Sequence, residues 1–389
     1  MLNHHRTPLA WFNLTYQKRR IITSLAGVSF AVLLMFMFTG FQNGMYDSQV
    51  QLIRLLNGEI IIANKLKYIM FVPEQFARRR LYQALAFEGV EAAYPLYTTN
   101  GNWKNPVTKA VRPLRVLAFN PQDPVLPLPG IIENSEALKL PRTALIDIKA
   151  RAEVGPKQAG IVTELSQQQI RLVGTFSLGT DFAAGNGNVI ISDQNFLRYF
   201  ANLGPEEDSR TLNTVDIGLL KVAPDADVEA LVKVLRQNLP KDVAVMTKEE
   251  FAQLELTYWR ENTNIGFIFS LLASMSFIVG VVLVYQILYT DVADHWVQYA
   301  TLKAMGYSNR YLLTVVLQEA IILSFLGFVP GLIASIGLYN LTAKATGLLM
   351  QMTVGRAIQI QVTTFVMCLI SGVIAIRKVQ SADPAEVFG

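Results

Sequence analysis

Catalysis and metal binding need particular side chains brought close together, so the scarce reactive residues decide first what chemistry is open to this chain. Its 389 residues include three histidines, His4, His5 and His295, and a single cysteine, Cys368. Imidazoles so few and so scattered do not make a metal set. One thiol inside an apolar run cannot build a disulfide framework within the chain. The patterns G-x-x-x-x-G-K-[ST], H-E-x-x-H and G-x-S-x-G are all missing, so this chain carries no sequence signature of a phosphate loop, a zincin or a serine hydrolase. "GTDFAAGNGN", Gly179 to Asn188, is glycine-rich, but a phosphate cradle should open a helix and a strand follows instead. An ordinary loop is expected there. Carboxylates are common in the middle of the chain, and no pair of them stands out.

Two features near apolar runs carry more information. Glu319 lies beside a long hydrophobic stretch, where a carboxylate at bilayer centre costs roughly 2.5–3.5 kcal/mol. It is nine residues past Arg310. It reads either as a hydrated or salt-bridged interface residue, or as a residue that gates or contacts the short helix within residues 291–312. The second feature is "DVADHWVQYATLKAMGYSNRYL", from Asp291 to Leu312. As a helix it places Trp296, Tyr299, Leu302 and Met305 on one slowly rotating face, and Gly306 follows where a helix would stop. Such a helix can lie on a membrane surface with its aromatics at headgroup level, or dock into a groove on a partner. A surface-lying helix usually carries several Lys or Arg, and this one has only Lys303. The balance therefore shifts toward docking.

These residues sit among long apolar elements. Hydrophobic residues make up 51% of the chain and charged ones 16%, against about 25% charged in a soluble domain. Four uncharged stretches reach membrane length: Ile21–Phe41, Thr263–Thr290, Ala320–Leu341 and Ala357–Ile376. About 20 such residues cross a bilayer as a helix. No small-x-small cleavage site follows the first, so it is expected to stay as an anchor. The basic residues orient the spans. Arg6, Lys18, Arg19 and Arg20, then Lys303, Arg310, Arg377 and Lys378, outnumber Arg54, Lys248, Arg260, Lys344 and Arg356 on the other side. Both termini are expected in the cytoplasm. The expected order is then a cytoplasmic segment 1–20, span 21–41, an external domain 42–262, span 263–290 and a cytoplasmic helix 291–310. Span 311–341, an external loop 342–356, span 357–376 and a cytoplasmic tail 377–389 complete it.

Within this plan, "ELTYWREN" precedes the second span without a breaker, so that span is expected to continue outward as a stalk. Gly327, Pro330 and Gly331 predict a kink or local unwinding in the third. Gly40 and Gly44 match small-xxx-small helix packing. In the external domain "EIIIANK", "RPLRVLAF", "TALIDI" and "NVIIS" read as strands. Residues 214–247 read as strand, helix, strand, with Asp225 or Asp227 as the helix cap. The stretch from Leu96 to Gly187, rich in Pro and Gly, is expected to be loops on short strands. A net charge of +4 without basic-aromatic clusters points away from nucleic acid.

Residues 291–320, "DVADHWVQYATLKAMGYSNRYLLTVVLQEA", resemble the segment between the second and third spans of the FtsX/MacB-type permeases of ABC transporters. The family core x-A-x-x-K-A-x-G is matched by Tyr299, Ala300, Thr301, Leu302, Lys303, Ala304, Met305 and Gly306, and Glu319 follows in the next span. "SADPAEVF", Ser381 to Phe388, is similar to the family's tail, and details such as "ENTNIGFIF" are most like the DevC-type permeases of cyanobacteria. The resemblance implies an α-helical membrane protein with four transmembrane helices and a large α+β extracytoplasmic domain after the first. It also implies that Trp296, Tyr299, Ala300, Leu302, Lys303, Ala304, Met305 and Gly306 contact an ATPase that binds ATP and Mg in trans, since no ATPase domain is present on this chain. A homodimer of the permease, a membrane-fusion adaptor, a TolC-like outer-membrane channel and a lipid or glycolipid cargo are implied with it, in a bacterial inner membrane. An alternative within the resemblance is an FtsX-like regulator that activates an external cell-wall hydrolase and exports nothing.

Overall fold

A computed structural model describes residues 18–380 except 182–183, 202–210 and 347. The tail motif Ser381–Phe388 and Arg6 lie outside the described residues. The chain divides into two compact units. The first comprises residues up to Asn43, Phe267–Lys344 and those from Met350 onward. The second is Gly44–Gly266 with Ala345–Leu349.

The helices are α1 (Lys18–Leu55), α2 (Arg79–Ala84), α3 (Pro129–Glu133), α4 (Ser135–Leu138), α5 (Asp193–Phe200), α6 (Val228–Asn238) and α7 (Lys248–Glu261). They continue with α8 (Asn264–Asp294), α9 (Trp296–Ala304), α10 (Asn309–Thr346) and α11 (Val354–Gln380). Four of them, α1, α8, α10 and α11, are long and apolar enough to cross a membrane. One expectation about these helices needs correction. The chain does not run unbroken from α7 into α8: α7 ends at Glu261, and Asn262 leaves helical geometry at φ −104°, ψ 4°. It is α1 that continues past its apolar run, for 38 residues in all. Beyond Phe41 its outer turns keep an apolar stripe, with Met45, Val50 and Ile53 buried, so packing sustains the helix where composition no longer does. Of the two outcomes expected around Gly327, Pro330 and Gly331, local unwinding is absent, since α10 runs unbroken through Pro330.

The second unit is built on nine strands: β1 (Ile60–Asn64), then, after the short β2 (Phe76–Ala77), β3 (Val90–Lys104), β4 (Val111–Phe119), β5 (Thr143–Asp147), β6 (Val162–Leu165), β7 (Gln168–Phe176) and β8 (Asn188–Ser192). After β9 (Thr214–Val215), which pairs with β2, come β10 (Ile217–Val222) and β11 (Val243–Thr247). The order is β11-β1-β10-β3-β4-β8-β5-β7-β6, and β6 returns to pair with the end of β3. Six strands thus close into a ring, which removes the exposed edges that an open sheet would leave. The 15-residue β3 serves both halves: its first part pairs with β10 and its second with β4. The stretch expected to be loops on short strands therefore supplies most of this ring. Alternate residues feed two cores, one on each face. Leu114, Val116 and Ala118 enter one, Leu117 and Phe119 the other. The expected strand–helix–strand is β10-α6-β11, with the Asp227 side chain accepting from the backbone N–H of Glu229 and Ala230. Thr247 and Glu250 form a reciprocal capping box at the start of α7.

Candidate functional site: a short helix and a buried polar network

Nine residues make up α9, and its ends explain its length. At the N-terminal end His295 is buried, and its Nδ1 lies 2.9 Å from the Asp291 carbonyl oxygen. A carbonyl can only accept, so Nδ1 carries the proton and the tautomer is set. At the other end Gly306 takes φ +91°. Its N–H donates to the Lys303 carbonyl, and the Tyr307 N–H reaches back to that of Leu302. That pair of bonds is a Schellman ending, which requires the left-handed conformation glycine adopts without strain.

The apolar stripe of α9 is used inside the chain. Tyr299 is buried in a cluster with Val292, Leu312, Val316 and Ile376, against which Trp296 and Leu302 pack. Ala300 is buried as well. The apolar residues left facing outward are Val297, 61% exposed, Met305, 63% exposed, and Tyr307, and the cations Lys303 and Arg310 are exposed as well. Ala304 ends the helix, and its side chain lies outside the described residues. The face marked by three-residue spacing is thus mostly an internal face, and Met305 is its one member that is exposed. Glu319 is fully buried beside Val316, Ala320 and Leu323, so of the alternatives drawn from sequence, hydration is the one that burial removes.

Glycines bring the spans together. A Cβ on Gly327 would lie 2.5 Å from Val28, and one on Gly331 2.7 Å from Val32. The Ser29 hydroxyl donates to the Gly327 carbonyl at 2.8 Å. Farther along α1 and α10, a Cβ on Gly40 would meet Tyr339 Oη at 2.2 Å, and that hydroxyl donates to the Phe36 carbonyl at 2.6 Å. Gly44 is different: its carbonyl accepts the Ser48 hydroxyl within α1.

A second concentration of polar groups lies inside the folded unit, where sequence reading found no pair. Arg115, on β4, is buried and donates to Asn188 Oδ1 and to Asp181 Oδ2, each at 2.6 Å. Asn188 Nδ2 donates to Asp147 Oδ2 at 2.8 Å, and Asp147 also accepts the backbone N–H groups of Leu178, Lys149 and Gly179. The described parts of the loop, 179–181 and 184–188, are therefore a structural clamp, tied further by Ala184 N–H donating to Asp181. The Arg115 guanidinium lies 4.9 Å above the Phe71 ring. Glu255, on α7, is only 1% exposed and accepts from the Met70 N–H at 2.8 Å and from Trp259 Nε1 at 3.2 Å. Burial pushes its carboxyl up to about 7, with Asp181 adding to the rise and Met70, Trp259 and Arg115 opposing it. The clue in sequence was an arginine in the middle of the apolar run "PLRVLAF", which only a buried partner makes tolerable. Among the described residues no three His, Cys, Asp or Glu side chains converge as metal ligands.

Comparison with known proteins bears on the region that holds α8 to α11. Residues 265–384 match the family model described as FtsX-like permease C-terminal. The C-terminal region is thus similar to FtsX-like permeases. Over 120 residues the chain is 25% identical to two proteins of Mycobacterium tuberculosis, from strains CDC 1551 and H37Rv, each named as an uncharacterized ABC transporter permease. The match spans 31% of this chain and 33%, about a third, of each relative. Among solved structures, the periplasmic region of MacB from Actinobacillus actinomycetemcomitans aligns at a TM-score of 0.34 with 12% identity. It covers 52% of this chain and 94% of that one. The extracellular domain of the noncanonic ABC-type transporter YknZ from Gram-positive bacteria gives 0.32 with 11% identity, over 49% and 98%.

Proposed function

We propose that this chain is the permease subunit of an ABC exporter that works by mechanotransmission. The observation that carries the reading is the FtsX-like permease match over residues 265–384, the region that contains the capped helix α9. In this reading two copies of the chain sit on a pair of ATPase subunits, which bind ATP and Mg in trans. The outward residues of α9, Val297, Met305 and Tyr307 with Lys303, receive the closure of the ATPases. The rest of the helix, locked by Tyr299 to the ends of the spans, moves with them as a unit. The motion reaches the folded unit between the first and second spans, which passes cargo to a membrane-fusion adaptor and a TolC-like outer-membrane channel. Polar residues are sparse in the four apolar helices, which favours a route that does not thread cargo between them. The likeness to DevC-type permeases supports a lipid or glycolipid cargo, such as the heterocyst envelope glycolipid, and a cyanobacterial inner membrane with both termini in the cytoplasm.

The test is affinity purification of the chain from its native membrane, with crosslinking through a cysteine placed at Met305. Recovery of an ABC ATPase on that crosslink, with an adaptor, is the expected result. Met305→Asp and Gly306→Pro are expected to abolish export while the protein still inserts in the membrane. Normal export by both variants would remove the coupling role, and an ATPase recovered with a wall hydrolase instead would overturn export itself.

A further inference from the structure

The outer part of α1 holds polar groups that the permease reading does not use. Tyr46 and Gln49 lie one turn apart on the same side of the helix and are 6% and 4% exposed. Tyr46 Oη and both amide atoms of Gln49 have no hydrogen-bond partner among the described residues. Their neighbour Ser48 is fully engaged, donating to the Gly44 carbonyl and accepting the Leu349 N–H. A buried amide with neither its donors nor its acceptor engaged is rare in folded proteins and calls for an explanation. Beside it, the exposed Arg260 guanidinium lies 5.5 Å above the Tyr46 ring and makes no ion pair among the described residues.

Chain counting places these groups relative to a membrane from two directions. The apolar run of α1 ends at Phe41, so Tyr46 and Gln49 lie about 7 and 12 Å farther along the helix. Arg260 lies four residues before Asn264, where the next apolar helix begins. Headgroups add about 5–7 Å to each side of the hydrocarbon, so Tyr46 is at headgroup depth, Gln49 about 5 Å beyond it, and Arg260 within four residues of the next apolar helix. The amide offers a donor and an acceptor together, the phenol offers one more of either, and the guanidinium adds positive charge. Neighbouring hydroxyls answer the first two groups, since each hydroxyl both donates and accepts.

We propose that Tyr46, Gln49 and Arg260 form a binding site for a hydroxyl-bearing lipid headgroup in the leaflet on the side of the folded unit. Phosphatidylglycerol and a monoglycosyl diacylglycerol share that chemistry, and phosphatidylcholine lacks it. The site requires that the chain span a membrane, and it does not require that the chain export anything.

The experiment uses the full chain in nanodiscs made from the three lipids in equal amounts, followed by native mass spectrometry of the lipids it retains. The wild type is expected to retain a hydroxyl-bearing lipid over phosphatidylcholine. Gln49→Leu, which keeps size and removes the amide, is expected to reduce that retention about tenfold, and Tyr46→Phe to reduce it less. Arg260→Gln separates the two sources. If it selectively abolishes phosphatidylglycerol retention, the bound headgroup is the anionic one; if retention of the glycolipid persists through it, the headgroup is the sugar. A melting temperature for Gln49→Leu in lipid-free detergent no lower than that of the wild type shows that lost binding is not lost folding. Equal retention of all three lipids by the wild type, or unchanged retention in both Gln49→Leu and Tyr46→Phe, would overturn the site. No ATPase takes part, so the outcome is independent of the export reading.

Discussion

Glu255→Gln should change the stability of the folded unit in opposite directions at low and high pH. Burial raises the Glu255 carboxyl from 4.5 to about 7. A raised carboxyl means that the folded state binds its proton more tightly than the unfolded chain does. Stability from this group is then fully present below pH 4.5 and is lost as pH rises through 7. At 1.36 kcal/mol per unit the loss comes to about 3 kcal/mol. Glutamine does not ionise, so it escapes that loss. It brings a cost of its own. Its carbonyl can keep the bond from Trp259 Nε1, but its amide nitrogen then faces the Met70 N–H that Glu255 now accepts. A buried donor left unpaired costs about 1–3 kcal/mol.

The variant should therefore be less stable than wild type at pH 5 by about 1 kcal/mol and more stable at pH 8 by about 1–2 kcal/mol. Other carboxylates titrate alike in the two proteins and cancel in the difference. The assay is thermal unfolding of the full chain in detergent, followed through tryptophan fluorescence, to which Trp103 and Trp259 contribute from the folded unit. For a unit of this size the change in the difference between pH 5 and pH 8 amounts to about 5–10 °C. A constant difference across that range would show that Glu255 stays ionised in the fold, and would refute the reasoning.

Arg115→Met leaves Asp181 a buried, unpaired charge and Asn188 without its donor, so it should cost about 3–5 kcal/mol in the same unfolding assay. Most of that should return in Arg115→Met/Asp181→Leu, where no charge is stranded. Gly40→Val puts a side chain where Tyr339 stands, and should lower stability by about 1–3 kcal/mol. Tyr339→Ala in the same chain should recover part of it, measured as detergent-resistant folded protein after heating.

The parts of the fold that can be read in sequence are those in which local chemistry and tertiary packing agree. The runs that became β1, β4, β5 and β8 are short, β-branched and bounded by turn formers, and Asp227 sits where a cap must sit. The closed ring was hidden because its glycines serve packing and not turns. A Cβ on Gly101, inside β3, would lie 2.7 Å from Leu165 and 2.9 Å from Val116. That glycine lets the strands of the ring approach, yet in sequence it looks like a loop signal. The stalk was misassigned for a related reason. Nothing in "WRENTN" demands a break, and the continuity of α1 depends on apolar contacts contributed by residues two hundred positions away. Composition records neither.

The same reasoning bears on α9. Apolar spacing along a helix reports burial, and burial by the chain's own spans satisfies it as well as burial by a partner does. Here Tyr299, with Trp296 and Leu302, is already spent on the cluster around Val316 and Ile376. An ATPase groove would have to read the residues the pattern leaves over. Those are Val297, Met305 and Tyr307, with the cations Lys303 and Arg310. This division gives the helix what a force-bearing contact needs. One face is anchored so that it cannot roll, and the Schellman ending at Gly306 holds the exposed Met305 and Tyr307 at a fixed angle to it. A helix lying on a membrane surface needs neither the anchor nor the fixed end, because its apolar face must stay free to enter lipid. On the proposed function, the inward turn of Tyr299 moves the decisive substitution from the stripe to its exposed end at Met305.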